Sequence, residues 1–387
     1  MKLKEAATLQ ASVRQWLVEP KVDPKVQTNI ERIARSEDVR YLVVLPDVHL
    51  GELINNGCVV ATENLVYPQA VGGDIGCGLS AIRFNSTAEF LTDDRHAQTI
   101  VKELYRRVPV LKQRGGQILP AKLARLSLSD EALVKQSQRD GAYQLGTLGC
   151  GNHFVEFQQD DAGALWLMVH SGSRAMGQSI TRFHLAQAGT SATGLKYLDT
   201  RSASGQAYLN DTEWAMQYAT LSRLAIMARV VEALESNFAV SANEDSYVDS
   251  PHNFVRREEH FGENLLVHRK SANSARLSEP GLIAGSMGTP SFVVHGLGVE
   301  AALCSSSHGA GRVMSRGEAR HCIKPADMKR QLGQVKYDPR HLSELRDEAP
   351  AAYRDIREVM RAQRDLARQH ARLSPVLNFK YPDRRNA

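Results

Sequence analysis

Three glycine-flanked segments constrain this 387-residue chain more than anything else in it: Asp74-Ile75-Gly76-Cys77-Gly78, Gly149-Cys150-Gly151-Asn152-His153 and Ser307-His308-Gly309-Ala310-Gly311-Arg312. Each sets a side chain able to bind metal or act as a nucleophile where glycine lets the backbone turn sharply and approach a ligand closely. Packing alone does not require that combination three times. His170, in Val169-His170-Ser171-Gly172-Ser173-Arg174, and His252, in Pro251-His252-Asn253, sit in comparable settings. The points of interest run from position 47 to position 380. One domain closing around one site is therefore expected, rather than separable modules.

Short apolar runs bounded by glycine turns predict strands at 41–45, 57–61, 79–84, 154–157, 165–170, 264–267, 281–284, 291–295 and 334–337. Residues 1–37 read as helical and partly amphipathic. A capping-box pattern at Asn210 and Glu213 predicts a helix bearing Trp214, Tyr218, Leu221, Leu224, Ala228, Val231 and Leu234 on one stripe. A second helix is expected from Pro350 through Tyr353, Ile356, Met360, Leu366 and Leu373, stopping before Pro375. A third, at about 98–107, carries Lys102, Arg106 and Arg107, which read better as a solvated face than as an RNA contact. The fold class is mixed α/β.

An apolar fraction of 42% and a charged fraction of 24% are those of an ordinary globular chain, long enough to bury a core without disulfides. Cys58, Cys77, Cys150, Cys304 and Cys322 are odd in number, widely spaced and form no C-x-x-C pair. That argues against a disulfide framework or a zinc finger and fits a reducing cytoplasm. Cys304 and Cys322 are expected simply to pack. The first twenty residues lack an apolar stretch of signal-peptide type, and no run of about 18 apolar residues suggests a membrane span. A net charge of +5 suits nucleic acid or a small substrate equally well.

Asp74 and Cys77 are three apart in a glycine turn, which can aim a carboxylate and a thiolate at one ion. A lone histidine is usually a satisfied core residue. His153, His170 and His252 together with Asp74 and Cys77 shift the balance toward a metal site. The mixed hard and soft donors suit zinc, manganese or cobalt, and a bridging group would allow two ions. In Ser305-Ser306-Ser307-His308-Gly309-Ala310-Gly311-Arg312 small neighbours leave the imidazole accessible, and successive N–H groups can cradle phosphate. A neutral imidazole can attack phosphorus to give a phosphoramidate, with Arg312 or Arg316 clamping phosphate oxygens. The residues read as a metal-dependent enzyme acting on phosphates.

Taken in order, these motifs resemble the RtcB family of RNA ligases. The resemblance runs through Leu45-Pro46-Asp47-Val48-His49-Leu50-Gly51, Val71–Gly78, Leu145–Glu156, His170–Arg174, His252-Asn253, His268-Arg269-Lys270, Gly285–Thr289 and the His308 loop. It ends in Glu348-Ala349-Pro350-x-x-Tyr353 and Lys380, covering roughly 41–380. The chain departs from the family pattern at Ala284, where proline is usual, at Ser271, where glycine is usual, and after Gly51, where a glycine-lysine pattern is common.

The resemblance implies a single RtcB-like domain over 1–387, with several sheets around a central dinuclear metal cleft, an N-terminal segment 1–37 and a short tail 381–387. It implies joining of RNA 3′-phosphate or 2′,3′-cyclic phosphate ends to 5′-hydroxyl ends with GTP and Mn2+, in RNA repair or tRNA splicing. Asp74, Cys77, His153, His170 and His252 would hold two Mn2+ ions, with Cys77 bridging, and His308 would form a histidine–GMP intermediate. Asn152, His153, Phe154, Val155, Glu156, His252, Asn253, Ala284, Gly285, Ser286, Met287, Ser291, His308, Gly309, Ala310, Gly311, Tyr353 and Lys380 would surround the guanylate. Asp47, Arg174 and Arg316 fall where RNA phosphate would be handled. The partners implied are such RNA ends and an archease-type activator, for a cytoplasmic monomer with no membrane association. A metal-dependent phosphodiesterase or cyclic phosphatase on the same scaffold is the competing reading. Retention of His308 argues against it, since hydrolysis needs no nucleophilic histidine. A non-catalytic RNA-binding descendant would be expected to have lost ligands, which this chain has not.

Overall fold

Two large sheets organise residues 11–19 and 21–382, the part of the chain described by the computed structural model. The first sheet runs Ser12–Gln15, Val39–His49, Asn56–Thr62, Glu263–Lys270, Asn253–His260; its first pair is parallel and the others antiparallel. The second runs Ala242–Pro251, Gly78–Thr87, Ala164–Ser171, Phe154–Gln159, Ala367–Lys380, Ser291–Gly296, Pro280–Ile283, with every neighbour antiparallel. With the helices on their faces, the mixed α/β class expected from the sequence is observed. Among the described residues no helix is long and apolar enough to cross a membrane.

Side chains alternate across a strand, and the second sheet uses both parities. Val155, Phe157, Leu165, Leu167, Val169, Leu377 and Phe379 pack with the helices Asp94–Arg107 and Ala203–Asn237. The opposite parity carries Phe154, Glu156, Trp166, Met168, His170, Asn378 and Lys380. Register then does the gathering. Gly78 lies opposite both Ser171 and Pro251, and His170 opposite both Leu79 and Phe154. Cys77, His153, His170 and His252 therefore share one end of the sheet. His252 is also the joint where the chain leaves the second sheet and enters the first.

Several expected elements come out differently. Residues 1–10 lie outside the described part, but within 11–37 the chain forms the strand Ser12–Gln15 before the helix Pro24–Ala34. The long helix starts at Ala203, capped by Ser202, so Asn210 and Glu213 are interior. Asp211 and Thr212, inside that capping-box pattern, are both buried. The expected helix from Pro350 to Leu373 breaks into a short 3-10 turn at Pro350–Ala352, the helix Ile356–Ala362 and the strand Ala367–Lys380. Pro375 is tolerated there because the ladder shifts register between Pro375 and Leu377, where a missing N–H breaks no pairing. Residues 334–337 make only a single bridge, Lys336 to Leu377. Cys322 is exposed rather than packed. Arg106 and Arg107 pair with Glu103, and Arg107 also with Glu232, as a solvated helix face would.

Asp211, fully buried, accepts from Ser129 N at 2.8 Å, Ser129 Oγ at 2.5 Å and His184 Nε2 at 2.7 Å. It pins the loop before the helix Glu131–Gln136 to the long helix. Asp211→Ala should lower unfolding free energy by about 3 kcal/mol, because buried donors lose their acceptor. A urea midpoint that falls with unchanged slope would show it.

Candidate metal centre and active-site cleft

The turn Asp74–Cys77 lies directly on the long helix. Gly76 has φ of 72°, and a Cβ there would come within 2.9 Å of Ala219 Cβ and 3.0 Å of Met216 Cα, so no other residue fits without displacement. Cys77 N donates to Asp74 O at 3.1 Å, closing the turn so that both side chains face one way. Across the sheet junction, His252 N donates to Cys77 O at 2.8 Å and Gly76 N to Asn253 O at 2.8 Å. The Asn253 amide braces the same turn, donating to Asp74 O at 3.1 Å while its oxygen accepts from Ser271 N at 2.8 Å. Ser271 stands at φ of 53°, in the left-handed region that favours glycine.

The potential ligands form two overlapping triads, Cys77–His170–His252 and Asp74–Cys77–His153, and within each the ligand atoms lie within 4.8 Å of one another. His153 Nδ1 faces Leu148 O at 2.8 Å and His170 Nδ1 faces Asn152 O at 3.0 Å. A carbonyl only accepts, so each Nδ1 carries the proton and each Nε2 a lone pair. Those Nε2 atoms point at Cys77 Sγ, 3.6 and 3.3 Å away, and His153 Nε2 lies 3.1 Å from Asp74 Oδ2. Burial holds His170 and His252 well below the usual imidazole range, in the neutral, ligating form. Burial works against the Asp74 carboxylate, and the Arg174 charge works for it. Burial and Asp74 push the Cys77 thiol up, and a divalent cation reverses that by taking the thiolate. Three imidazoles, two of them with the outward nitrogen anchored on a carbonyl, a thiol and a carboxylate fit a divalent transition ion.

A cavity of about 1050 Å³ opens from this centre. His308 stands on its wall, ring centroid 4.7 Å from that of His252. Its Nδ1 lies 2.7 Å from Asp47 Oδ2, which also accepts from His308 N at 3.2 Å. The carboxylate can only accept, so Nε2 is left as the ring's basic nitrogen. Asp47 is fully buried, and Gly311, with φ of 69°, closes over it; a Cβ there would meet Asp47 O at 2.2 Å. The loop bearing Ala284–Met287 lies alongside, with Ala284 N donating to His308 O at 2.9 Å and Gly285 N to Ser291 Oγ at 3.1 Å.

The cavity is also lined by buried charge. Lys380 Nζ pairs with Glu348 Oε2, Arg316 Nη1 lies 2.5 Å from Glu348 Oε1 and 2.7 Å from Asp347 Oδ2, and Tyr353 OH donates to Glu348 at 2.9 Å. Burial works against the Glu348 charge, but Lys380, Arg316 and Arg312 hold the carboxyl at about 2. Glu156 differs. Asn378 and Gln158 each donate to it at 2.6 Å, yet burial dominates and pushes it up to about 7.

Of the residues expected around a nucleotide, Asn152, Phe154, Glu156, His252, Asn253, Ala284–Met287, Ser291, His308–Gly311, Tyr353 and Lys380 line this one cavity, with Asp74, Cys77, His170 and Arg316. His153 stands behind Asp74 in the metal triad. Two other expected residues have side chains that lie away from the cavity lining. Val155 has the opposite strand parity and its side chain is in the core. Asp47, expected at RNA phosphate, is shut away beneath His308, and a carboxylate there would repel phosphate. Arg174 lies against the His153 loop, its Nη1 3.5 Å from His153 Nδ1, outside the cavity lining. Sequence reading missed Arg223, Gln158 and Arg354, whose guanidinium donates to Val48 O at 2.9 Å on the cavity wall. Only Arg223 leaves a signal, a charge at a buried position of the long apolar helix.

Comparison with known proteins settles the relationship. The family model for tRNA-splicing ligase RtcB matches residues 29–134 and 121–381. The RNA-splicing ligase RtcB of Escherichia coli (strain K12) is 37% identical over 389 residues, covering 93% of this chain and 95% of that protein. The chain belongs to the RtcB family. More distant RtcB relatives include a tRNA-splicing ligase of Methanococcus maripaludis, 27% identical over 83% of each chain, and RNA-splicing ligase RtcB homolog 1 of Entamoeba dispar, 26% identical over 87% of this chain and 78% of its own. The glycine-flanked segments that hold this RtcB chain's cluster lie inside the matched residues.

Because Cys77 belongs to both triads, Cys77→Ala should remove bound divalent metal from both, whereas His252→Ala should leave the Asp74–Cys77–His153 triad able to bind. Metal-to-protein ratios by plasma mass spectrometry would separate the two. Serine should not replace Cys77, since a hydroxyl stays neutral where the thiol yields a thiolate.

Proposed function

We propose that this chain is an RNA ligase that joins 3′-phosphate or 2′,3′-cyclic phosphate ends to 5′-hydroxyl ends, using GTP, two Mn2+ ions and a histidine–GMP intermediate on His308. The observation that carries the reading is the placement of His308: its ring is fixed by Asp47 beside the His252 ligand and on the wall of the cavity. Family membership supports the same reading. Site residues from 74 to 380 meet at one cleft, which supports one catalytic domain.

Asp74, Cys77, His153, His170 and His252 would hold the ions, with Cys77 shared. Bound there, divalent ions neutralise charge on the phosphates being attacked and released. His308 Nε2 attacks the α-phosphorus of GTP; the P–N bond forms, the α–β bridging P–O bond breaks and pyrophosphate leaves. The ring then carries positive charge, with its Nδ1 proton still shared with Asp47, which stabilises it. An oxygen of the RNA 3′-phosphate next takes GMP from His308, breaking the P–N bond. The 5′-hydroxyl then attacks the RNA phosphorus, loses its proton and displaces GMP. A cyclic phosphate must be opened by water to the 3′-phosphate before these steps. Glu156 and Lys380, on the cavity wall, are the groups proposed to meet the guanine edge.

His308→Ala should abolish protein labelling by α-labelled GTP and all sealing while leaving metal content unchanged. Labelling that persists in the variant would sink the nucleophile assignment. Asp47→Ala should slow guanylylation by about 100-fold or more, since the ring loses both its orientation and its counter-charge. Single-turnover labelling checks this. With RNA halves ending in 3′-phosphate and 5′-hydroxyl, sealing should require GTP, and ATP should serve poorly. A buried acceptor left unpaired costs about 1–3 kcal/mol. Sealing without nucleotide, or joining of 3′-hydroxyl to 5′-phosphate ends, would overturn the proposal.

A further inference from the structure

Beneath the metal centre lies a fully buried arginine that the proposed reaction does not use. Arg223 rises from the long helix, and all five of its N–H groups are engaged. Nε donates to Asp249 Oδ1 at 2.7 Å, with Ser80 Oγ at 3.2 Å. Nη1 donates to Gly76 O at 2.7 Å and Ser171 O at 3.1 Å. Nη2 donates to Asp249 Oδ2 at 2.9 Å and Thr220 Oγ1 at 3.2 Å. The partners are not scattered. Gly76 precedes Cys77, Ser171 follows His170, and Asp249 lies three residues before His252.

We infer that Arg223 is the positioning residue of the metal centre: one planar guanidinium holds the three strand ends that bear Cys77, His170 and His252 at the spacing the ions require. The inference rests on the metal-centre reading above and deepens it. Three features favour this over a buried ion pair that merely fills the core. First, two of the five donors go to main-chain carbonyls adjoining ligands, where side-chain repacking cannot substitute. Second, the Gly76 carbonyl lies in the turn before the strand Gly78–Thr87 and the Ser171 carbonyl at the end of the strand paired with it, so the rigid fork ties the Asp74–Cys77 turn, which no ladder holds, to the ladder that carries His170. Third, Asp249 is held bidentately and neutralises the guanidinium, so the centre does not face a bare positive charge competing with the metal. Lysine offers the same charge but three donors on a flexible stem, so it cannot reach all these acceptors in one plane.

The test uses the full chain, stripped of metal and titrated with Co2+, whose visible spectrum reports ligand geometry and whose sulfur-to-metal charge-transfer band reports the thiolate. Circular dichroism and a melting curve of each metal-free variant establish folding. Partners of ligands typically contribute about 10–100-fold in metal affinity. Arg223→Lys should therefore bind Co2+ about 10–100-fold more weakly with an altered spectrum, and Asp249→Asn, which frees the fork to rotate, should shift both in the same direction. Should Arg223→Lys not fold, Asp249→Asn decides by the same criterion. A folded variant with wild-type affinity and spectrum would overturn the inference and leave the metal centre standing. If the wild-type protein shows no charge-transfer band that Cys77→Ser abolishes, the metal-centre reading fails, and this inference with it.

Discussion

Two imidazole lone pairs, on His153 and His170, are aimed at one buried sulfur, with a carboxylate 3.1 Å from the first of them. The single thiol proton can serve only one of these acceptors, so the arrangement favours a cation among the donors, because buried lone pairs without a partner are costly. The positive side chain beneath, Arg223, is already matched by Asp249. The demand for a cation therefore remains with the cluster itself. What creates the demand is strand register. A slip of one residue between Gly78–Thr87 and Ala164–Ser171 would turn His170 to the opposite face and place Val169 or Ser171 against the thiol. The apolar residues on the other parity, Leu165, Leu167 and Val169, hold the register by their burial against the long helix. Core packing and metal geometry are thus two faces of one constraint.

The same parity explains the division of labour along the cleft. From His170 the cavity-facing positions continue across the neighbouring strands to Phe154, Glu156, Asn378 and Lys380. One sheet face thus supplies a metal ligand at one end and a buried ionic group at the other. Replacing Glu348 and Lys380 by apolar residues need not weaken the fold, since burying such charges is costly in itself. Their retention on the wall of a cavity is better understood through what they offer a ligand. Glu156 at about 7 and Glu348 at about 2 also give the cleft two carboxyls of different character within one wall.

How much of this was legible in the sequence followed how local the physics is. Glycine turns beside Asp74, Cys77, His153 and His308 announce themselves, because positive φ or close approach excludes other residues. Strands with one apolar parity were legible for the same reason. Asn253–His260 was not, since Arg256, Arg257 and Glu259 break its apolar pattern and the buried Glu258 is matched by Arg269 and Arg276, eleven and more residues on, as well as by His260. Leu366 and Leu373 mimicked a helical stripe although the chain between them turns into a strand. The pairings made by Arg223, Asp211 and Asp47 were beyond reach because the partners lie 26 to 261 positions away.

Asp47 shows what such a distant partner adds. Its Oδ2 accepts from both the backbone and the ring of His308, so the loop conformation and the ring orientation are set by one atom. Its other oxygen, Oδ1, is buried and has no hydrogen-bond partner. A carboxylate held with half its capacity unused is costly at rest and gains most when the neighbouring ring becomes positive. That is the change produced when His308 Nε2 bonds to phosphorus in the proposed reaction, because the ring then keeps its Nδ1 proton and acquires charge. The cost is thus concentrated in the resting state and relieved in the intermediate, which is where a nucleophilic histidine needs help.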